Sequence, residues 1–162
     1  MRVGLHIVGG RSALEVRLKH NSVVSPARLL VIEDNSSDVF LLDRALNQLH
    51  LRFELTHLAD GGKALAFIHR EGAYADAPIP HMILVDLNLS KYRGADILRE
   101  IRDAKHLVGV LVCAWSSSQS RQDRTELMDL GVARFITKPS GLDQFLEIGA
   151  IIRELLDGHA AC

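Results

Sequence analysis

Five short apolar runs, each ending in a polar, turn-forming stretch, organise most of this chain. Apolar or alternating runs of about four to eight residues that stop at Gly, Pro, Asn, Asp or Ser are typical of strands. The pattern therefore predicts five strands, and the third is apolar enough to be buried. The runs occupy residues 28–32, 52–58, 82–85, 108–114 and 133–137.

Between these runs, apolar residues recur at helical spacing. The sequence Asn35-Ser36-Ser37 is suited to capping a helix, and the segment after it carries an apolar face made of Val39, Leu42, Ala45, Leu46 and Leu49. Comparable signals, such as Asp60 before a helix and Gly131 after one, predict four more helices. The predicted helices span about residues 36–50, 61–71, 94–103, 119–130 and 142–156.

The regular alternation of strand and helix predicts a parallel sheet with helices on both faces. A length of 162 residues suits one such domain. Length and repeat number together favour a flavodoxin-like, doubly wound α/β fold with five strands in the order 2-1-3-4-5 and five helices. We assign residues 27–157 to this domain, residues 1–26 to an N-terminal extension and residues 158–162 to a C-terminal tail.

The N-terminal extension has two interpretations. Apolar residues alternate with other residues on both sides of Gly9-Gly10, which is typical of a hairpin. An isolated hairpin is marginal in water, so it would need the domain or a partner to pack against. The alternative is a disordered extension, and the sequence leaves the choice open.

Composition narrows the possible classes of function. The net charge is −1 and the basic residues are scattered, so nothing predicts a nucleic-acid partner. No apolar run is long enough to span a membrane and no signal peptide is evident, which predicts a cytoplasmic protein without membrane insertion. The two cysteines lack redox or metal-site spacing, and we expect Cys113 in the core and Cys162 in the tail.

Carboxylates follow the first and third predicted strands. Glu33 and Asp34 come directly after the first strand, and Asp86 comes directly after the third. Because these strands are neighbours in the predicted order, their acids meet at the carboxyl edge of the sheet, where such folds bind ligands. A hard divalent cation such as Mg²⁺ would relieve the repulsion among them. Taken by itself, Asp86 is equally well explained as a cap of the following turn.

The last two strands bring Ser116 and Lys138 to the same edge. A hydroxyl group and an ammonium group beside a carboxylate are suited to binding a phosphoryl group on that carboxylate. The reaction that these residues predict is phosphorylation of Asp86, with its carboxylate as the nucleophile.

These residues, in this order and each at a strand end, resemble the receiver domain of two-component response regulators over about residues 27–157. The resemblance implies a CheY-like fold with Asp86 as the phosphoacceptor. It also implies that Mg²⁺ is bound by Asp34 and Asp86, by Glu33 directly or through water, and by the backbone carbonyl of Asn88.

The resemblance further implies how a phosphorylated domain would switch. Ser116 would bond to a phosphoryl oxygen and reorient, and Lys138 would pair with the phosphate. Phe135 stands at the aromatic switch position of the family, although ordinary core packing explains it as well. The peptide bond between Lys138 and Pro139 is expected to be cis.

Three positions depart from the family pattern. Ser90 stands where Pro is usual, Arg93 where Asp is usual, and Trp115 where an aliphatic residue is usual. None of these changes removes a ligand, so they bear on switching and partner choice rather than on phosphorylation. Trp115 either alters the loop that moves or packs beneath helix four.

The stretch 70–78, together with Asp-Leu-Asn-Leu at 86–89, resembles stand-alone receivers that accompany phytochrome-type sensor kinases. This implies a sensor histidine kinase as one partner. We expect no output domain, so an unknown downstream protein would read the signal. A second apolar stripe on helix five predicts a homodimer through the helix-four to helix-five face, unless the extension or a loop covers it. The stripe consists of Ile148, Ile151 and Leu155.

Two other classes of function remain as alternatives. A pseudo-receiver that is never phosphorylated would lack the acids or the lysine, and none of them is missing here. A phosphatase or mutase with an aspartyl phosphate would carry a second Asp where this chain has Asn88, and an amide cannot transfer the proton. We therefore expect a phosphoacceptor with at most slow self-dephosphorylation, and not an enzyme.

Overall fold

The five strands form one parallel sheet in the order β2-β1-β3-β4-β5, which confirms the flavodoxin-like, doubly wound fold. The computed structural model describes residues 25–117, 127–139 and 141–160. The strands are β1 (Ala27–Ile32), β2 (Phe53–Leu58), β3 (Met82–Asp86), β4 (Leu111–Ser116) and β5 (Arg134–Thr137). The helices are α1 (Ser36–Gln48), α2 (Gly61–Ile68), α3 (Gly94–Asp103), α4, described at 127–129, and α5 (Leu142–Ala160).

Side chains alternate across the sheet and build a hydrophobic core on each face. The core that contains Leu30 and Ile83 packs against α2 and α3, and the core that contains Val31 and Leu84 packs against α1 and α5. Every residue of β3 is buried, as expected for a central parallel strand. Cys113 is fully buried, as predicted, and its burial raises the pKa of the thiol to about 11.

Two helices begin with the caps that the sequence predicts. The Asn35 side chain accepts a hydrogen bond from the backbone N–H of Ser37 (3.1 Å), and the Asp60 side chain accepts one from that of Lys63 (2.8 Å). These caps satisfy N–H groups that have no partner within the helix. They place the starts of α1 and α2 at the carboxyl edge of the sheet, beside the ends of β1 and β2.

The bounds of β4 differ from the prediction. The strand begins at Leu111 instead of residue 108, because a 3-10 turn precedes it and leaves Val108 80% exposed. At the other end, pairing with β3 and β5 extends the strand to Ser116, with Asp86 opposite Trp115 and Thr137 opposite Ser116. The parallel ladder thereby fixes the backbone on which Trp115 and Ser116 are presented.

The prediction that helix five exposes a second apolar stripe is wrong. Ile148 is buried, and Ile151 and Leu155 are partly buried against the core beneath α1. The reason is a close approach of α1 to α5 at Gly149, where an added Cβ would lie 2.9 Å from Leu49 Cδ1. The contact with α1 therefore buries a wide apolar face of α5, which includes the stripe that was expected to be exposed.

Gly94, at the start of α3, packs directly against the backbone of Asp86 and Leu87. An added Cβ would lie 2.5 Å from both Asp86 O and Leu87 Cα, closer than packed atoms allow. We expect Gly94→Ala to lower the free energy of unfolding by about 1–3 kcal/mol, because the helix or the end of β3 must move. Urea unfolding followed by circular dichroism measures this difference.

Gly158→Ala is the matched control for this prediction. Gly158 also lies in a helix, and an added Cβ there would meet no atom within 4 Å. Alanine is a better helix former than glycine, so this change should leave stability unaltered or raise it by about 0.5–1 kcal/mol. Equal destabilisation by both variants would show that the contact between Gly94 and β3 is not responsible.

Three expectations fall mainly on residues outside the described ranges: the form of the N-terminal extension, most of predicted helix four, and the placement of Cys162. Within the described ranges, none of the helices combines the length and the apolar character needed to cross a membrane.

Candidate functional site

The carboxyl edge of the sheet brings together the predicted acids, the hydroxyl and the lysine. Glu33 and Asp34 follow β1, Asp86 ends β3, Ser116 ends β4 and Lys138 follows β5. One carboxylate oxygen from each of the three acids lies within 4.8 Å of the others. The convergence inferred from strand order is therefore present in the folded chain.

Lys138 provides the counter-charge at the centre of this cluster. Its Nζ atom lies 2.6 Å from Glu33 Oε2, 2.8 Å from Asp86 Oδ2 and 3.2 Å from Asp38 Oδ2. Burial of the lysine opposes its charged form, but hydrogen bonds to Asp86 and Glu33 outweigh it and raise the pKa of Lys138. The ammonium group is therefore positively charged at neutral pH.

Glu33 is the most deeply buried of the acids, with no exposed surface. Its Oε1 accepts a hydrogen bond from the backbone N–H of Asn35 (3.0 Å), and its backbone carbonyl lies 2.7 Å from His57 Nε2. Burial raises the pKa of Glu33 to about 7, against the lowering effect of Lys138 and Asn35. The carboxyl group is consequently poised between its neutral and charged forms near neutral pH.

Asp34 is exposed and is held by the loop after β3. Its Oδ2 accepts a hydrogen bond from the backbone N–H of Ser90 (2.8 Å). Desolvation acts to raise the pKa of Asp34, but the hydrogen bonds from Ser90 prevail and lower it. A proline, usual at position 90 in the resembled family, has no N–H to donate. The departure at Ser90 thus creates a contact with a candidate metal ligand.

Asp86 is held at both carboxylate oxygens. Oδ1 accepts a hydrogen bond from the backbone N–H of Asn88 (3.0 Å), and Oδ2 accepts one from Lys138 Nζ (2.8 Å). The side chain of Asn88 donates to Ser116 Oγ (2.7 Å). Asp86 and Ser116 are both almost completely buried. The Asn88 side chain therefore joins the ends of β3 and β4, a link that the sequence did not reveal.

The sequence interpretation missed Asp38, the third carboxylate on Lys138. It lies in the first turn of α1, with 22% of its side chain exposed. An acid in the first turn of a helix is favoured by the helix dipole, so its position alone carried no functional signal. Only the approach of the segment after β5 to the start of α1 makes it part of the site.

Two details near the site correct the sequence expectations. Trp115 is fully buried in the core beneath α1 and α5, because strand alternation places it on the same face as Asp86, whereas Leu127, in the described part of helix four, packs in the core on the opposite face. The bond between Lys138 and Pro139 is trans, the lower-energy isomer, so the expectation of a cis bond is wrong. Phe135 is partly buried against the core on the α2 and α3 side.

The cluster is suited to a small divalent cation and a phosphoryl group. Mg²⁺ prefers oxygen ligands and binds through one or two carboxylates together with water and phosphate oxygens. Glu33, Asp34 and Asp86 supply such oxygens, and a cation there would relieve the repulsion among them. Lys138 and Ser116 add the charge and the hydroxyl that phosphate oxygens bind.

Comparison with known proteins identifies the family. Residues 29–149 match the response regulator receiver domain family. The response regulator Rcp1 of Synechocystis sp. is 32% identical over 123 residues, which cover 76% of this chain and 84% of Rcp1.

Solved structures agree with this match. The phosphorylated cyanobacterial phytochrome response regulator RcpA superposes with a TM-score of 0.76 at 34% identity, over 82% of this chain and 94% of RcpA. The Mn²⁺-bound form of Rcp1 superposes with a TM-score of 0.71 at 31% identity, over 76% of this chain and 89% of that one. Sequence, fold and site geometry lead to one conclusion: this chain belongs to the response regulator receiver domain family.

Proposed function

We propose that this protein is a response regulator that accepts a phosphoryl group on Asp86 from a sensor histidine kinase. The observation that carries the proposal is the position of the Asp86 carboxylate, 2.8 Å from the Lys138 ammonium group and within 4.8 Å of two further acids. In the reaction, an Asp86 oxygen forms a bond to phosphorus while the bond from phosphorus to the kinase histidine nitrogen breaks. The product is an aspartyl phosphate.

Each neighbouring residue has a proposed role in this transfer. Asp34, Asp86, the backbone carbonyl of Asn88, and Glu33 directly or through water, would hold a Mg²⁺ ion, which would neutralise charge on the phosphoryl oxygens. Lys138 stabilises the negative charge from the other side. These groups are already assembled at the strand ends, so the transfer requires little reorganisation.

Ser116 and Phe135 are the proposed switch. Ser116 would leave its hydrogen bond with Asn88 and bind a phosphoryl oxygen, which displaces the end of β4. Phe135 is paired with Ala114, two residues before Ser116 on β4. It therefore lies close enough to respond to a movement of Ser116. We propose that the end of β4, at Ser116, is the element whose two positions the phosphate biases.

The side chain of Asn88 favours slow loss of the phosphate from Asp86 over catalytic turnover of a phosphorylated substrate. Asn88 carries an amide, and that amide donates to Ser116 Oγ, so it offers no acid or base to a leaving group or a water. We propose that 27–157 form the receiver domain and that it is at most slowly self-dephosphorylating.

The kinase partner is proposed to be a phytochrome-type sensor in the cytoplasm. Support comes from the likeness to Rcp1 and to the phytochrome response regulator RcpA, each at more than 30% identity. The downstream partner would be a protein that distinguishes the phosphorylated from the unphosphorylated surface.

We further propose that two copies pair through the face formed by α4 and α5. Met128 is 73% exposed and Leu146 is 38% exposed, so each helix presents an apolar side chain to solvent. We expect the mass in solution, measured by light scattering, to rise from monomer to dimer with Mg²⁺ and beryllofluoride, and Leu146→Lys to prevent the rise. A mass that stays monomeric in both conditions would contradict this pairing.

The phosphorylation itself is tested with the unmodified protein. Incubation with Mg²⁺ and acetyl phosphate should add one phosphoryl group, seen by intact-protein mass spectrometry, and a chelator should prevent it. Trp115, the one tryptophan of the chain, lies next to Ser116 in β4, so its emission should also change on addition of beryllofluoride. An unchanged mass in the presence of Mg²⁺ would refute the proposed function.

A further inference from the structure

The Trp115 ring is a close partner of Lys138 that is not a carboxylate. The Lys138 Nζ atom lies 5.0 Å from the centroid of the Trp115 ring, within the distance at which an aromatic face attracts a cation. We propose that Trp115 is a positioning residue that holds the Lys138 ammonium group beside Asp86 through this cation–π contact. The inference rests on the proposed phosphorylation of Asp86 and assigns a role to a residue that supplies no ligand atom.

Strand register explains why the two side chains meet. Trp115 is paired with Asp86 across the ladder between β3 and β4, so both side chains lie on the same face of the sheet. On the next strand Trp115 is paired with Ile136, and Lys138 follows just past the end of β5. The backbone N–H of Lys138 donates to the Ser116 carbonyl (2.9 Å), which continues the ladder and returns Lys138 to the face of Trp115. The indole ring therefore lies directly beneath the lysine and beside the phosphoacceptor.

The contact is strong for its type because both partners are withdrawn from water. Trp115 has no exposed surface, and the Lys138 side chain is 13% exposed. A cation–π contact contributes more when it is desolvated than when it is exposed. The ammonium group thus has the ring as a neighbour as well as the carboxylates of Glu33, Asp38 and Asp86.

The ring differs from those carboxylates in what happens to it during the reaction. Asp86 loses its negative charge at the oxygen that becomes phosphorylated, and Glu33 is a candidate ligand of the divalent cation. The ring of Trp115 neither loses charge nor binds the divalent cation. It therefore attracts the ammonium group to the same extent before and after phosphoryl transfer. Trp115 would therefore keep Lys138 aimed at the phosphoryl group while its other partners change.

Hydrogen bonds within the described part of the chain do not explain the tryptophan at position 115. Trp115 Nε1 is buried and meets no acceptor among the residues that the structure describes. An unpaired buried N–H destabilises a folded protein, and an aliphatic residue, usual at this position in the family, would avoid that cost. The observed contacts of Trp115 involve two properties of its side chain: the volume of the ring, which packs in the core, and its electron-rich face, which Lys138 approaches.

Variants of Trp115 separate these two properties. Trp115→Phe keeps an aromatic face, whereas Trp115→Leu removes it; both reduce the volume. We expect Trp115→Leu to slow phosphorylation by acetyl phosphate and Mg²⁺ by about 3- to 10-fold, and Trp115→Phe to stay within about twofold of the unchanged protein. The matched control is Phe145→Leu, which removes a buried ring from the same core and should leave the rate unchanged.

A double-mutant cycle on stability tests the contact without relying on phosphorylation. Urea unfolding of Trp115→Leu, Lys138→Met and the double variant should show that the two changes do not add, because each removes the same contact. If Trp115→Leu fails to fold, Trp115→Met takes its place as the larger aliphatic variant. Fully additive effects, or equal rates for Trp115→Phe and Trp115→Leu, would overturn the inference.

Failure of this inference is distinguishable from failure of the proposed function. An unchanged protein that gains no phosphoryl group refutes the function, whatever the cycle shows. A protein that is phosphorylated normally while Trp115→Leu reacts at the full rate refutes the role of Trp115 and leaves phosphorylation of Asp86 standing.

Discussion

Replacing Asp86 with Asn should abolish phosphorylation while leaving the fold intact. The amide has almost the same shape as the carboxylate, and its one oxygen can still accept one of the two hydrogen bonds that Asp86 receives, from the Asn88 N–H at 3.0 Å or from Lys138 Nζ at 2.8 Å. What is lost is the anionic oxygen that attacks phosphorus. Removing a nucleophile costs several powers of ten, so we expect the rate to fall by at least about a thousandfold.

The measurement is the intact mass after incubation with Mg²⁺ and acetyl phosphate. Asp96→Asn is the matched control, because Asp96 is an exposed acid on α3 that pairs with Arg99, and it should react at the unchanged rate. Circular dichroism and urea unfolding show whether Asp86→Asn remains folded. Full modification of Asp86→Asn would mean that another carboxylate is the acceptor, with Asp34 and Asp38 the first to substitute.

Replacing Lys138 with Met should have the second largest effect, on stability as well as on phosphorylation. In the variant, Glu33 and Asp86 are left buried beside one another without the ammonium group that lies 2.6 Å and 2.8 Å from them. Breaking a buried ion pair by removing one partner costs about 3–5 kcal/mol. We expect a loss of about 3 kcal/mol in the free energy of unfolding at pH 8, measured in urea without divalent cation.

The loss should be smaller at pH 6. Burial already raises the pKa of Glu33 to about 7, and removal of the lysine raises it further, so the folded protein binds a proton that the unfolded chain releases. A folded-state pKa above the unfolded one means that stability falls as pH rises through that pKa. The difference between Lys138→Met and the unchanged protein should therefore grow from pH 6 to pH 8.

Added Mg²⁺ should compensate for the missing lysine. In the unchanged protein the ammonium group already neutralises the acids, so a divalent cation there stabilises the folded protein less. The melting temperature of Lys138→Met should therefore rise more on addition of Mg²⁺ than that of the unchanged protein. Arg102→Gln is the control, because this arginine pairs with Asp103 at the surface. Its replacement should alter neither the melting temperature nor the rise in melting temperature on addition of Mg²⁺. Equal Mg²⁺ shifts in all three proteins would contradict the bridging role of Lys138.

The sequence predicted where the acids meet because its signals are local. Glu33, Asp34 and Asp86 each end an apolar strand, and the caps Asn35 and Asp60 depend only on the next few residues. The alternation of strands and helices predicted a parallel sheet, and the chain's length and repeat number favoured the strand order that brings the acids together. The bounds of α3, at Gly94–Asp103, were predicted without error for the same reason.

Features that depend on distant partners escaped the sequence interpretation. The exposed stripe expected on α5 is covered because α1, about a hundred residues earlier, packs on it at Gly149. Asp38 joins the site only because Lys138 reaches it across the same separation of 100 residues. Periodicity within a helix shows which residues are apolar, but it does not show how much of that surface a neighbour will cover.

By itself, then, the sequence determined the fold, the acidic cluster and the residue that we propose is phosphorylated, because short-range patterns and strand topology are enough to bring strand ends together. The tertiary structure decided how those residues contact one another. It alone showed Lys138 bridging three carboxylates, Asn88 bonded to Ser116, and the Trp115 ring beneath the lysine. Each of these contacts depends on the register between strands and on side-chain packing within a few ångströms, which no pattern along the chain specifies.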